Sequence, residues 1–306
     1  MSNKPFFTVV IPTYNRSTLL CKAINSVLGQ TYQDWNLVIA DDCSTDDTEE
    51  IIRPYLSDTI TFFKNKKNIG NAGARNLGVK HANGSYICFL DSDDQYHPNF
   101  LQKMHDLIKE NNNPGFLWSD VNRIDSNGEL EDHTIPASWE PRNAKDPYLF
   151  FLGGLFFGTG YGFTVRSDCF ETTGYFDEQF RTAVDTDFIL RIVQDFNFEY
   201  TKEILVDTYD HDGDRVRKNS REKLKSYKIL LEKHKSIIHQ YPKLKQTWYY
   251  KLMWLSYHNG FKYEARKYLA KAVGAGKYKS FLTAGIFELL SKNKAIGMHK
   301  KISEAL

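Results

Sequence analysis

Residues 85–94 read SYICFLDSDD. A mostly apolar run is followed at once by three carboxylates in four positions, Asp91, Asp93 and Asp94. An apolar run of this length with a polar boundary reads as a strand buried on both faces. Carboxylates this close repel and raise one another's pKa unless something positive is shared between them. The strand therefore delivers a cluster of acids to its carboxyl end, which is where open α/β sheets bind their ligands.

Working outward, the same arrangement recurs twice. Residues 6–11 (FFTVVI) form another continuous apolar run, followed by Pro12, Thr13, Tyr14, Asn15 and Arg16. Residues 36–40 (NLVIA) form a third, followed by Asp41 and Asp42. Between them the spacing of Leu20, Ala23, Ile24, Val27 and Leu28 predicts a helix over 18–28. Further helices are expected over 46–56, capped by Ser44 or Thr45, and over 72–81, with a strand at 59–63. Strand alternating with helix at this spacing predicts an α/β fold with a mainly parallel central sheet covered on both faces. Downstream, a helix is expected over 98–112, a turn at 125–128, a loop over 131–146, a strand over 158–165, a helix over 185–196 and a strand over 198–209. From about residue 212 the text is helical, at 220–239, 244–258, 262–273 and 277–291, punctuated by Gly260, Gly274 and Gly276. The segment around 249–273 reads as an αα-hairpin.

Composition sets the broad class. The chain has 306 residues, 41% hydrophobic and 25% charged, as in an ordinary globular protein. Its four cysteines, Cys21, Cys43, Cys88 and Cys169, form no C-x-x-C pair and read as reduced core thiols. No signal-peptide core and no run of about 18 apolar residues occurs, so a cytoplasmic protein without a transmembrane helix is expected. The net charge of +2 hides a split: residues 215–306 hold 22 Lys and Arg against 5 Asp and Glu, whereas residues 1–214 hold 18 against 33. A break this sharp marks a change of role near residue 215.

The three strand ends together offer a specific chemistry. Tyr14 provides a ring to stack on, and Asp42 a carboxylate to accept from a base N–H. The 91–94 cluster provides oxygen ligands for a hard divalent cation, which usually keeps a bound phosphate as partner. The segment NIGNAGARNLGV (68–79) has glycines that permit close backbone approach at a helix start, and Arg75 can reach back toward the ligand. The set suits a nucleoside diphosphate.

VVIPTYNR, VIADDCSTDDT and NIGNAGARNLGVKHANGSYICFLDSDD, in this order and spacing, resemble the family-2 glycosyltransferases of the GT-A fold, over roughly residues 6–215. The resemblance implies a metal-dependent inverting transferase that moves a hexose or N-acetylhexosamine from a UDP-sugar to a hydroxyl of a cell-surface glycan, of polysaccharide, lipid-linked oligosaccharide or teichoic acid type. It implies that Pro12, Thr13, Tyr14 and Asp42 hold the uridine, with Arg75 beside the base and Arg16 approaching the diphosphate. Asp91 and Asp93 match the D-x-D pair around Ser92: Asp93 would bind Mn²⁺ or Mg²⁺ and Asp91 would lie near the ribose or the metal. Asp94 is assigned to a cap on the helix beginning near His97. In GYFDEQFRTAVDTDFILRI, Asp185 takes the position of the catalytic base, although Val184 stands where the common pattern has glutamate. Arg191 matches a recurrent arginine. His211 matches a histidine near the metal or diphosphate, and Arg215 and Arg217 would join it on a mobile loop over the leaving group. Trp118, Trp139 and Tyr161 are candidates for the acceptor surface, with core packing the alternative for Trp118.

These residue types fit the reaction. Transfer from a nucleotide sugar requires stabilisation of the departing diphosphate, which a metal supplies as a Lewis acid. It also requires one positioned carboxylate to take the acceptor proton. A glycosidase needs a second carboxyl as acid for its alkoxide leaving group. One displacement at the anomeric carbon gives inversion. The expected organisation is a catalytic domain over 1–215, with a nucleotide-binding half at 1–95 and an acceptor-binding half at 96–215, followed by a basic helical domain over 216–306. For that basic region the expected partner is an anionic membrane surface, which makes the protein peripheral on the inner face of the plasma membrane. Residues 277–290 (KYKSFLTAGIFELL) are amphipathic enough to lie there. Nucleic acid is not expected, since no recognition motif accompanies the charge. Two rival functions are a non-catalytic sugar-nucleotide or glycan-binding module, favoured by Val184 alone, and a sugar-1-phosphate nucleotidyltransferase. Against the second, PTYNR holds no glycine where that chemistry usually shows a glycine-rich loop.

Overall fold

The computed structural model describes residues 4–131, 140–154, 162–209 and 219–273. Their contacts divide into two compact units, Met1–Gly213 and Asp214–Leu306.

In the first unit the predicted alternation is present. Strands β1 (Phe7–Thr13), β2 (Trp35–Asp41), β3 (Ile60–Lys64) and β4 (Tyr86–Phe89) alternate with helices α1 (Ser17–Leu28), α2 (Thr48–Ile52) and α3 (Asn71–His81). Every residue of β1 is buried, as its unbroken apolar text requires of a strand covered on both faces. Leu20, Ala23, Ile24 and Val27 form the buried stripe of α1. α3 seats closely: a Cβ at Gly78 would collide with the Val10 side chain of β1. Strand β5 (Asp94–Tyr96), α4 (Phe100–Glu110), β6 (Phe116–Ile124), β7 (Leu130–Glu131), α5 (Pro147–Gly153), β8 (Thr164–Arg166), α6 (Cys169–Thr173), α7 (Val184–Ile192) and β9 (Phe198–Tyr209) complete the unit among the described residues. The strand order is β3-β2-β1-β4-β8-β6-β9-β5, with β7 added to β6. Most of the paired length is parallel (β3-β2-β1-β4 and β6-β9), while β8 runs antiparallel to β4 and β6, and β5 antiparallel to β9.

Register explains how three distant stretches meet. Thr13 of β1 lies opposite Asp41 of β2, so both strands end at one level. β4 ends at Phe89 opposite Val10, and the Leu90 amide donates to the Val10 carbonyl at 3.1 Å. The acids that follow therefore leave the sheet beside the end of β1.

Several local expectations are corrected. Helix 46–56 is shorter, because Pro54 falls inside it: α2 stops at Ile52 and a 3₁₀ turn covers Arg53–Tyr55. Neither Ser44 nor Thr45 caps it. The Ser44 hydroxyl instead bonds Asp41, while Asp46 Oδ1 accepts from the Thr48 hydroxyl at 2.5 Å and its amide at 3.2 Å. Asp94 does not cap α4, which starts at Phe100; it sits in β5, paired with Thr208 of β9. Trp118 is fully buried, stacked between Phe116, Phe198 and Tyr200, and so belongs to the core rather than to an acceptor surface. All four cysteines are free. The helix expected over 220–239 breaks at His234.

The second unit contains α8 (Ser220–Lys233), α9 (Lys235–Gln240), α10 (Pro242–His258) and α11 (Lys262–Val273), with α10 and α11 forming the expected hairpin around Gly260, whose φ is 80°. Asn219 caps α8, its side chain accepting from the Glu222 amide at 3.1 Å. No helix among the described residues is long and apolar enough to cross a membrane. His211, Arg215, Arg217, Trp139, Tyr161 and the 277–290 segment lie outside the described residues.

Candidate active site

The loops after β1 and β2 are knitted together. The Asn15 amide donates to Ser44 Oγ at 2.8 Å, and the Asn15 side chain accepts from the Thr45 amide at 2.8 Å. Asn15 and Cys43 both take left-handed backbone angles, φ 49° and 68°, at these bends. Tyr14 projects from this platform 44% exposed, with its ring available for stacking. Pro12 and Thr13 are buried in β1, and the Thr13 hydroxyl has no protein partner.

Asp42 does more than the sequence suggests. One oxygen accepts from the Asn65 side chain and the Ile69 amide, both at 2.9 Å, and the other from the Gly70 amide at 2.6 Å. Gly70 is the N-cap of α3, at φ 96°. A buried carboxylate on those amides suits the positive end of the helix dipole and fixes the 65–70 loop. Asp41, fully buried beside it, is held above its ordinary pKa by burial, against hydrogen bonds from Ser44 and the charge of Lys64.

Arg75 is the centre of the site. Its side chain is 3% exposed and forks between two acids: Nη2 donates to Asp91 Oδ1 at 3.0 Å and Nη1 donates to Asp185 Oδ1. The guanidinium carbon lies 5.7 Å from the ring centres of both Phe89 and Phe176. Asp185 arrives because Ala183 takes the left-handed angle φ 58° at the N-cap of α7, costing about 1 kcal/mol for a residue with a Cβ. Next to Arg75, Asn76 clamps the incoming chain: its amide donates to the Phe176 carbonyl and accepts from the Phe176 amide, each at 2.9 Å. The sequence offered no signal for this second role, since Phe176 lies 100 positions away.

The acids of the third strand end gather as expected. Asp91, Asp93 and Asp94 each offer a carboxylate oxygen, and these oxygens lie within 4.8 Å of one another. Two guanidinium groups already stand on them, Arg75 on Asp91 and Arg16 on Asp93 at 2.5 Å. Burial, then the charges of Asp93 and Asp185, hold Asp91 above its ordinary pKa against the pull of Arg75. Converging hard oxygen donors that draw cations to themselves fit a divalent metal. Ser92 is buried between them.

Other assignments resolve differently. Asp187, two positions along α7 from Asp185, is fully buried and pairs with Arg191 at 3.0 Å. Arg191 also donates to the carbonyls of Thr173 at 2.6 Å and Tyr175 at 2.9 Å, so it braces the bend at Gly174. Val184 is 5% exposed and packs inward. A cavity of about 630 Å³ between α1 and β5, lined by Ser26, Tyr96 and Tyr209 among others, includes none of the acids or arginines above.

Known proteins resemble this chain in sequence and in fold. Residues 8–174 match the profile of Glycosyl transferase family 2. The chain is 29% identical over 283 residues to the putative colanic acid biosynthesis glycosyl transferase WcaA of Escherichia coli (strain K12), covering 85% of this chain and 96% of that one. It is 35% identical over 129 residues to the Escherichia coli UDP-Glc:alpha-D-GlcNAc-diphosphoundecaprenol beta-1,3-glucosyltransferase WfgD, covering 42% of this chain and 51% of that one. Among solved structures, S. aureus TarS 1-349 in complex with UDP-GlcNAc is similar with a TM-score of 0.60 over 88% of each chain at 19% identity, a likeness of fold. The family profile covers more than half of the chain and includes the strand ends that bear Tyr14, Asp42 and the 91–94 acids, and the helix that bears Arg75: the chain is a glycosyltransferase that belongs to glycosyl transferase family 2 and has the GT-A fold.

Proposed function

We propose that this enzyme transfers a hexose or N-acetylhexosamine from a UDP-sugar, with inversion and with a divalent metal, to a hydroxyl of a cell-surface glycan. The observation that carries this reading is the fork of Arg75. One buried guanidinium joins the first acid of the D-x-D pair to Asp185. Donor phosphates and acceptor base are thereby assigned to opposite sides of one side chain. The names of WcaA, WfgD and TarS support the substrate class: colanic acid biosynthesis for the first, a UDP-glucose donor and a diphosphoundecaprenol-linked acceptor for the second, bound UDP-GlcNAc for the third.

Residues 1–95 are assigned to the donor and 96–215 to the acceptor. Tyr14 stacks on the base, Pro12 and Thr13 line it, and Asp42 holds the uridine while setting the loop beside it. Asp91 and Asp93 would hold Mn²⁺ or Mg²⁺, which supplies charge neutralisation for the departing diphosphate. Arg16, displaced from Asp93, turns to the phosphates. Asp185 takes the proton from the attacking hydroxyl as the bond to the anomeric carbon forms on the face opposite the leaving group. His211, Arg215 and Arg217 are assigned to the leaving diphosphate.

A donor screen tests this. Incubation with UDP-glucose, UDP-galactose and UDP-N-acetylglucosamine, with Mn²⁺ or with chelator, is expected to release UDP from one of them only with metal. Release unaffected by chelator would contradict the metal assignment. Turnover of a GDP-sugar but of none of these would contradict the donor.

A further inference from the structure

The basic character of the helices over 219–273 has no part in that chemistry, and α9, α10 and α11 gather some of it in one place. Lys235 and His239 of α9, Lys245 of α10 and Lys271 of α11 converge. Burial first, then the charges of Lys245, Lys235 and Lys271, hold the His239 imidazole below its usual pKa, so all three ammonium groups act on one ring. His239 Nε2 lies 2.8 Å from the Tyr249 hydroxyl, and Lys271 Nζ lies 5.2 Å and 5.8 Å from the ring centres of Tyr249 and Tyr268. The acids facing this cluster are Glu232, which pairs with Lys235 at 3.0 Å, and Glu264, which lies near Tyr268 and pairs with Lys228 at 2.6 Å. Positive charge is in excess there, and like charges held together are relieved by an anion.

The excess continues along α11. Tyr263, Arg266, Lys267 and Lys271 are all exposed, and their spacing of three, four and eight positions puts them on one helix face. At its start Tyr263 is 84% and Phe261 45% exposed. A small soluble anion is bound in a concave site. Here the cations lie on an open helical surface beside exposed aromatic rings, the pairing found where proteins meet the headgroup layer of a bilayer.

We infer that the exposed face of α11, with Lys235 and Lys245 at its C-terminal end and Tyr263 at its start, docks on the phosphate headgroups of an anionic lipid surface. This brings the enzyme to a membrane without a spanning helix and supplies a role for the charge break near residue 215.

Flotation of the full chain with vesicles tests it. Wild type is expected to float with vesicles containing about 30% phosphatidylglycerol, not with pure phosphatidylcholine, and to be released at about 0.5 M salt. Each basic side chain at such a surface contributes roughly fivefold to partitioning, so combined Lys245→Gln, Lys267→Gln and Lys271→Gln should lower it roughly 100-fold. Release of UDP in solution should be unchanged, since none of these residues belongs to the active site. If the combined variant melts early, Lys267→Gln with Tyr263→Ser, both exposed, serves instead. Equal flotation of wild type and variant, or no flotation of wild type, overturns the inference. Release by millimolar inorganic phosphate at constant ionic strength overturns it in favour of a soluble-anion site. Competition by single-stranded RNA at equal phosphate concentration overturns it in favour of nucleic acid.

Discussion

Replacing Arg75 with methionine keeps an unbranched apolar stem and removes the guanidinium that joins Asp91 to Asp185. Arg75 is 3% exposed, whereas the carboxylates are 34% and 29% exposed. Removing one partner of a fully buried ion pair costs about 3–5 kcal/mol. Water reaches both acids here and recovers part of that, so Arg75→Met is expected to cost about 2–3 kcal/mol at pH 7. The cost has a pH signature. Asp91 already titrates above its ordinary value, because burial and the neighbouring Asp93 and Asp185 outweigh Arg75. Without Arg75 it rises further, so Asp91 protonates more readily and the penalty shrinks as the pH falls. Urea unfolding of wild type, Arg75→Met, Asp185→Asn and the double variant measures this. The cycle should show a coupling of about 1–2 kcal/mol, with the double variant less destabilised than the sum. A cost independent of pH, with the two substitutions additive within about 0.5 kcal/mol, would refute the reasoning. Arg75 would then contribute only packing between Phe89 and Phe176.

Three further outcomes are expected. Arg16→Ala should tighten Mn²⁺ binding without nucleotide about two- to fivefold, because a partly exposed ion pair worth about 0.5–1 kcal/mol no longer competes for Asp93; a weaker affinity in a metal titration would count against the shared position. Gly78→Ala should destabilise the first unit by about 1–3 kcal/mol in urea, since its methyl group meets Val10 of β1; unchanged stability would contradict the close seat of α3. In the helical unit, burial holds buried Lys251 well below its ordinary pKa of 10.5, with Lys223 adding to the effect. Between the lowered value and 10.5 the unfolded chain binds a proton that the folded one does not, so stability rises with pH through that window. Lys251→Met should raise stability near neutral pH and flatten that rise; a melting temperature with the same pH slope in both proteins would show that Lys251 is not the group responsible.

Much of this was readable in the text because local pattern and global fold agree. The apolar runs before Pro12, Asp41 and Asp91 read as strands because they are short, bounded by polar residues and rich in β-branched and aromatic side chains, and the polar residues behind them share one edge. The acids at 91–94 declared a need for positive charge. The source of that charge was less visible. Arg16 and Arg75 each face a carboxylate far away in sequence, Asp93 and Asp185, and only the fold brings them together. Asp42 is expected at the uridine, and its oxygens also organise Ile69 and Gly70, a pairing across 27 and 28 positions. Asp94 carries the same charge as its neighbours and reads as a helix cap, but pairing with Thr208 draws it into β5. Such long-range pairing leaves no local signature. Trp118 was ambiguous for another reason: an aromatic side chain suits a sugar surface and a core equally, and only its neighbours Phe116, Phe198 and Tyr200 decide.

The most direct test is sugar transfer by Asp185→Asn, read as UDP released in the presence of acceptor and Mn²⁺. Asparagine keeps an oxygen for Arg75 and loses the ability to take a proton. Loss of a positioned general base should lower transfer about 10²–10⁴-fold, with UDP affinity unchanged and the variant still folded though less stable. Transfer near the wild-type rate by a folded Asp185→Asn protein would contradict the account.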